Sequence, residues 1–177
     1  MMRNLLLLLV FVFSAMDISA QAARGTRTNS QNEATSQPIV HVDQFIAALR
    51  GSGQTRSAAN TPLRVESLIN DVQSSSYVEN ETVKTYGDNP VCVFTDAASF
   101  ANLVSLNFPK RDVELITVKL KSQRDLSGLD FSTLSVFPNL KYVYLISEVA
   151  TTERDIVNVV RNNDPKVSVF YNLARTK

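Results

Sequence analysis

Apolar and polar positions along the chain fall into stretches of two different periods. In "TPLRVESLINDVQ", Val65, Leu68, Ile69 and Val72 recur at i, i+3, i+4 and i+7. That is one apolar stripe, and it predicts a helix over 62–73. Thr61 is placed to cap it, and Pro62 suits a first turn, where a missing N–H leaves nothing unpaired. Upstream, "VDQFIAALRGSG" predicts a shorter helix over 43–50. Asp43 caps its start, Phe45, Ile46 and Leu49 line one side, and Gly51 stops it. "QTRSAAN" reads as a loop, and "SSSYVENETVKTYGDN" as a loop holding one edge strand near Thr82–Tyr86. From residue 90 the pattern becomes regular. Strand-like runs near 91–95, 115–121, 140–146 and 166–171 alternate with helix-like segments. Strands separated by helices imply parallel pairing. The expectation is one α/β domain over 38–177, a small and mostly parallel sheet of about four strands. A helix is expected after each strand, and the two N-terminal helices precede the sheet.

The regular part also repeats. Leu115-x-x-Val118-x-Leu120 recurs as Leu140-x-x-Val143-x-Leu145, 25 positions on. Phe131-x-x-Leu134-x-x-Phe137-Pro138 echoes Phe100-x-x-Leu103-x-x-Leu106, with Phe108-Pro109 just beyond. Pro90, Pro109, Pro138 and Pro165 each stand shortly before a strand. There proline closes what precedes it and biases its own neighbour to extended structure. "LSVFPNLKYVYLIS" then reads as one rung of a β-α repeat. Its strands and period resemble leucine-rich repeats over about residues 90–172. Where that family places a ladder-forming Asn, this chain has Gln123 and Glu148, so the likeness is architectural. The resemblance implies a recognition surface. An ordinary α/β sandwich with coincidental spacing is the other reading of the same residues.

At the N-terminus periodicity gives way to one apolar run, Leu5 to Met16, behind Arg3 and ahead of the small-x-small Ala20-Gln21-Ala22. This layout predicts a secretory signal peptide over 1–22. The run is shorter than the roughly 20 residues a membrane helix needs. Residues 23–37 carry no large apolar side chain, which predicts a flexible leader. The expected mature protein is exported, periplasmic or secreted, with no membrane span. With 18 Lys+Arg against 17 Asp+Glu, no bulk attraction to nucleic acid is implied. The expected partner is an unknown protein or envelope component.

Candidate chemistry is sparse. One Cys and one His leave too little for a zinc site of four N/S ligands, so no metal is expected. Gly51-Ser52-Gly53 follows a helix where a phosphate loop needs a strand before it, and no cofactor is expected. Cys92, in "VCVF", reads as a buried thiol. His41, the sole imidazole, sits at the entry to the first helix and reads as a partly exposed residue before a cap. Asn80-Glu81-Thr82 matches the glycosylation tripeptide, a pattern common by chance.

Two candidate sites follow, and no catalytic residue is named. Asp96 ends the first parallel strand, where open α/β sheets bind ligands, with Arg124, Ser147 and Glu148 at neighbouring ends. An Asp96–Arg124–Glu148 group is the site of a small enzyme or ligand-binding domain. The simpler reading is that Asp96 caps the helix after it. The other candidate is a sheet face. Ile116, Val118 and Leu120 point one way, while Thr117, Lys119 and Lys121 point the other. In register with the second set lie Cys92 and Phe94, Tyr142 and Tyr144, and Ser168 and Phe170. Phe94, Lys119, Tyr142, Tyr144 and Phe170 make a candidate binding face, since tyrosine is enriched at recognition surfaces. Alternatively, helix 62–73 covers this face and buries its aromatics. The lack of paired catalytic groups favours a non-enzymatic binding module over the enzyme.

Overall fold

A computed structural model describes residues 37–51 and 63–173. The predicted signal peptide, the leader up to residue 36, the loop after the first helix and the Thr61-Pro62 cap lie outside the described residues. The chain enters through β1 (Val40–His41), turns into α1 (Val42–Gly51), and resumes at α2 (Arg64–Asn70). A hairpin of β2 (Ser75–Glu79) and β3 (Thr82–Tyr86) follows. Next come β4 (Cys92–Asp96), the single turn α3 (Ala97–Phe100) and β5 (Leu115–Leu120). The last part holds β6 (Leu129–Asp130), β7 (Tyr142–Ser147), α4 (Glu153–Val159), β8 (Val160–Arg161) and β9 (Ser168–Leu173).

The expected four-stranded sheet is corrected by this architecture. Among the described residues the sheet is mixed and has seven strands in the order β1-β9-β7-β5-β4-β2-β3, and β6 and β8 form a separate two-stranded ribbon. Of these strands, β2 and β3 alone pair antiparallel among the described residues. Nor do both N-terminal helices precede the sheet, because β1 comes before α1 and lies parallel on β9. A two-residue strand leaves no alternation to detect. Its place is marked instead by Gln37, whose Oε1 accepts a hydrogen bond from Ser168 Oγ at 2.7 Å.

The sequence predicts a loop with one edge strand where the hairpin lies. Its turn, Asn80-Glu81, holds both residues at positive φ, 49° and 65°. A two-residue hairpin turn of this kind favours Asn-Gly, and Glu is an uncommon occupant, so the usual signal is missing. The Asn80 N–H donates to Ser99 Oγ at 3.0 Å and ties the turn to α3. After β3 the chain must pass the start of β2 to lay β4 on its other side. Gly87, at φ +84°, makes that passage, and a Cβ there would stand 2.4 Å from Ser74 Oγ.

A helix after each strand is likewise corrected. The segment after β5 and that over Phe131–Val136 are 3-10 turns, and α3 continues as 3-10 over Ala101–Leu103. The spacing explains it: Phe131, Leu134 and Phe137 recur every three residues, the 3-10 period and not the α period. All three are buried.

Two apolar layers sandwich the sheet. On one side Val93, Ile116, Val118, Val143 and Leu145 pack beneath the connectors, against Phe100, Leu103, Leu134 and Ile156. On the other, Cys92, Leu115, Tyr144 and Phe170 pack beneath α1 and α2, against Val42, Val65 and Leu68. The predicted stripe on α2 is therefore core at Val65 and Leu68. Val72 is not part of it. The helix stops at Asn70, Asp71 is extended, and Val72 stands fully in solvent. Among the described residues, no helix is long and apolar enough to cross a membrane.

Candidate functional site

One register row crosses the face that carries α1 and α2. From the β3 edge inward it reads Lys84, Tyr77, Phe94, Thr117, Tyr144, Phe170 and Val40, each paired with the next on the neighbouring strand. Alternation puts every one of these side chains on the same face. Four of the seven are aromatic, yet their surroundings differ along the row.

At the β7–β9 end the row is core. Phe170 is 0% and Tyr144 7% exposed. Phe45 of α1 stacks on Phe170 at 4.6 Å and meets Tyr142 edge-on at 6.1 Å. Burial pushes the Tyr144 phenol up from its ordinary pKa, against a hydrogen bond with Asn172 that lowers it. A cleft of about 450 Å³ between α1 and α2 reaches down to Tyr144, and the Arg50–Glu66 pair bridges it at 2.6 Å. A second ionic anchor holds α2 to the base of the sheet. Arg64 donates to Glu114 Oε1 through Nη2 at 2.6 Å and Nε at 3.2 Å, and Lys141 donates to Oε2 at 2.8 Å. Hydrogen bonding to Arg64 holds the Glu114 carboxyl below the usual carboxylate range despite partial burial. Cys92 completes the seam: its thiol donates to the Leu68 carbonyl at 3.5 Å, and burial pushes it up to about 11.

At the β2–β3 end the same row is open. Tyr77 is 47% and Tyr86 61% exposed. Tyr77 stacks on half-buried Phe94 at 4.9 Å with planes 15° apart, and Tyr86 meets Tyr77 edge-on at 5.6 Å. The two tyrosines, with Val72, Gln73, Ser75 and Lys84, line a groove of about 490 Å³. Among the described residues, no carboxylate lines it. Three touching rings held by three adjacent strands, β3, β2 and β4, form a rigid platform with an apolar body and, at the tyrosines, polar tips.

The five residues expected to share one binding face are thus divided. Phe94 belongs to the open platform. Tyr142 is half-buried against α1, and Tyr144 and Phe170 are inside. Lys119 is exposed and pairs with Glu148 at 3.2 Å. Tyr77 falls in a stretch that reads as loop, and Lys84 and Tyr86, although on the expected edge strand, have no partner strand in that reading to form a face with. The period-2 sets Ser75, Tyr77, Glu79 and Thr82, Lys84, Tyr86 were the available signal.

The expected Asp96–Arg124–Glu148 group does not assemble as a unit. Asp96 Oδ1 accepts the Ser99 N–H at 2.9 Å as the cap of α3, and Oδ2 accepts from Lys121 Nζ at 3.0 Å. Lys121 also pairs with Glu79. The Asp96 carboxyl is lowered even though burial opposes this, through hydrogen bonds from Ser99 and Lys121. Glu148 belongs to Lys119, and Arg124 is exposed on a 3-10 turn. His41 Nδ1 accepts the Asp43 N–H at 3.3 Å and its ring lies edge-on to Tyr171, a role at the start of α1. Among the described residues, no group of three His, Cys, Asp or Glu side chains is arranged to hold a metal ion. Comparison with protein-family models, curated proteins and solved structures finds no match to this chain.

Proposed function

We propose that this is an exported, non-enzymatic module that binds a protein partner through the open end of the aromatic row. The observation that carries the reading is the solvent-facing stack of Tyr86, Tyr77 and Phe94 beside Lys84, which meets no carboxylate among the described residues. Clustered surface aromatics on a rigid support are what interface hot spots are made of. The leucine-rich-repeat resemblance over residues 90–172 supports the same direction. The signal-peptide pattern over 1–22 supports export, and N-terminal sequencing of the cell-derived protein tests it: a start near Ala23 is expected, and a retained Met1 refutes cleavage.

The surface is tested by site-specific photocrosslinking in the native cell. A benzophenone side chain replaces Tyr77 in one variant and Val157 of α4, exposed on the opposite layer, in another. A discrete crosslinked protein at position 77 and none at 157 is expected. The same adducts at both positions refute the reading.

A further inference from the structure

The groove does not end at the rings; it runs to a free sheet edge. Among the described residues no strand lies beyond β3. The Asn80-Glu81 turn sets which backbone groups of β3 face outward. In a two-residue hairpin the flanking pair, here Glu79 and Thr82, is hydrogen-bonded, and bonded pairs then alternate. Thr82, Lys84 and Tyr86 therefore spend their N–H and C=O groups on β2. Val83 and Thr85 present theirs to solvent, a row of two donors and two acceptors at strand spacing. On the aromatic face this edge carries Lys84 between Thr82 and Tyr86. Lys119, Lys121 and Lys141 each meet a carboxylate, whereas Lys84 is exposed and meets none among the described residues.

Resting on the reading of this end as the binding surface, we propose that β3 takes up an extended peptide of the partner as an additional strand. The peptide carries an acidic side chain opposite Lys84. Two positions along, an aromatic or branched apolar side chain lies against Tyr86 and Tyr77. Strand addition satisfies the four outward backbone groups, and alternate side chains supply selectivity. Charge selects this occupant over a second copy of the chain. The register that pairs all five residues of β3 with a symmetry mate sets Lys84 directly opposite Lys84, and like charges there are unfavourable. An edge lysine blocks self-pairing in this way while accepting an acidic partner.

The test uses the full chain and a positional-scanning array of acetylated, amidated heptapeptides. Peptides with Asp or Glu at the centre and an aromatic or β-branched residue two places away are expected to bind best. Lys at the centre should weaken binding at least tenfold. N-methylation of the best peptide at the amides facing β3 should do the same. On the protein, Thr85→Pro removes an outward N–H and leaves the β2 ladder whole, since proline is tolerated at an edge position of this kind. It should lose at least tenfold in affinity with its circular dichroism unchanged, while Thr85→Val binds like the parent. Full binding by both Thr85→Pro and the N-methylated peptide would overturn strand addition. If Tyr77→Ala still weakens that binding, the surface reading survives alone. An array with no preference for a central acid also overturns the proposal. So does a parent chain that is dimeric in sedimentation and becomes monomeric as Thr85→Pro, which would make a second copy the occupant.

Discussion

The two ends of one aromatic row share a sheet, a face and side-chain chemistry, yet Phe170 and Tyr144 are core while Tyr77 and its neighbour Tyr86 meet water. The difference lies in what rests on them. Phe45 stacks over Phe170, and the Arg64–Glu114 and Arg50–Glu66 pairs hold α2 over the middle of the sheet. Because α2 ends at Asn70, its cover stops short of β2 and β3. An aromatic on a strand is thus core or contact surface according to the reach of the layer above it. Its own identity does not settle the matter.

The largest test of this contrast is Phe170→Ala. Truncating a fully buried aromatic should cost about 3–5 kcal/mol in denaturant unfolding. Leu68→Ala, which removes the α2 side of the same layer, should cost about 2–5 kcal/mol, read from the same midpoint shift. Either change below about 0.5 kcal/mol would mean the helices do not bury this end.

Glu114 tests what holds the cover in place. Its folded pKa is lowered, so the stability it adds is fully present above the ordinary glutamate pKa of about 4.3 and is lost as pH falls through the lower folded value. Glu114→Gln should cost about 1–2 kcal/mol at neutral pH, since it weakens charge-assisted bonds from Arg64 and Lys141. It should also flatten the acid limb of the stability curve below about pH 4.5. Asp96, also lowered, leaves part of that slope in place. An unchanged acid limb would remove Glu114 from the account.

The smallest effect is expected at the open end. Tyr86→Ala should change stability by less than about 0.5 kcal/mol, as surface substitutions do, while weakening partner binding. A loss of several kcal/mol would show Tyr86 to be covered, and the contrast between the two ends would disappear.

The facing of the central strands was legible as alternation, although the open platform itself was not. Ile116, Val118 and Leu120 do face one layer, and Thr117, Lys119 and Lys121 are set against them by strand period alone. Asp96 as a helix cap was legible too, from residue type and position. The pairing register was not. Val93 lies opposite Ile116, Ile116 opposite Val143 and Val143 opposite Val169, offsets of 23, 27 and 26 positions where the sequence repeats at 25. Connector length sets those offsets, and it has no local signature. The Asn80-Glu81 turn hid β2 for a similar reason: its positive φ values are held with help from Ser99, 19 residues away.

Strand and helix periods, the side of each strand on which a residue lies and the capping role of Asp96 are local matters, because backbone geometry links neighbours a few residues apart. Which aromatics are buried is not local. It depends on where α1 and α2 dock, and docking is set by contacts such as Arg64 with Glu114, 50 positions apart. Far-separated residues meet only once the chain has closed, as Gln37 meets Ser168 across 131 positions, and no pattern within either segment records the meeting. Closure therefore divides one aromatic row into a core and a surface.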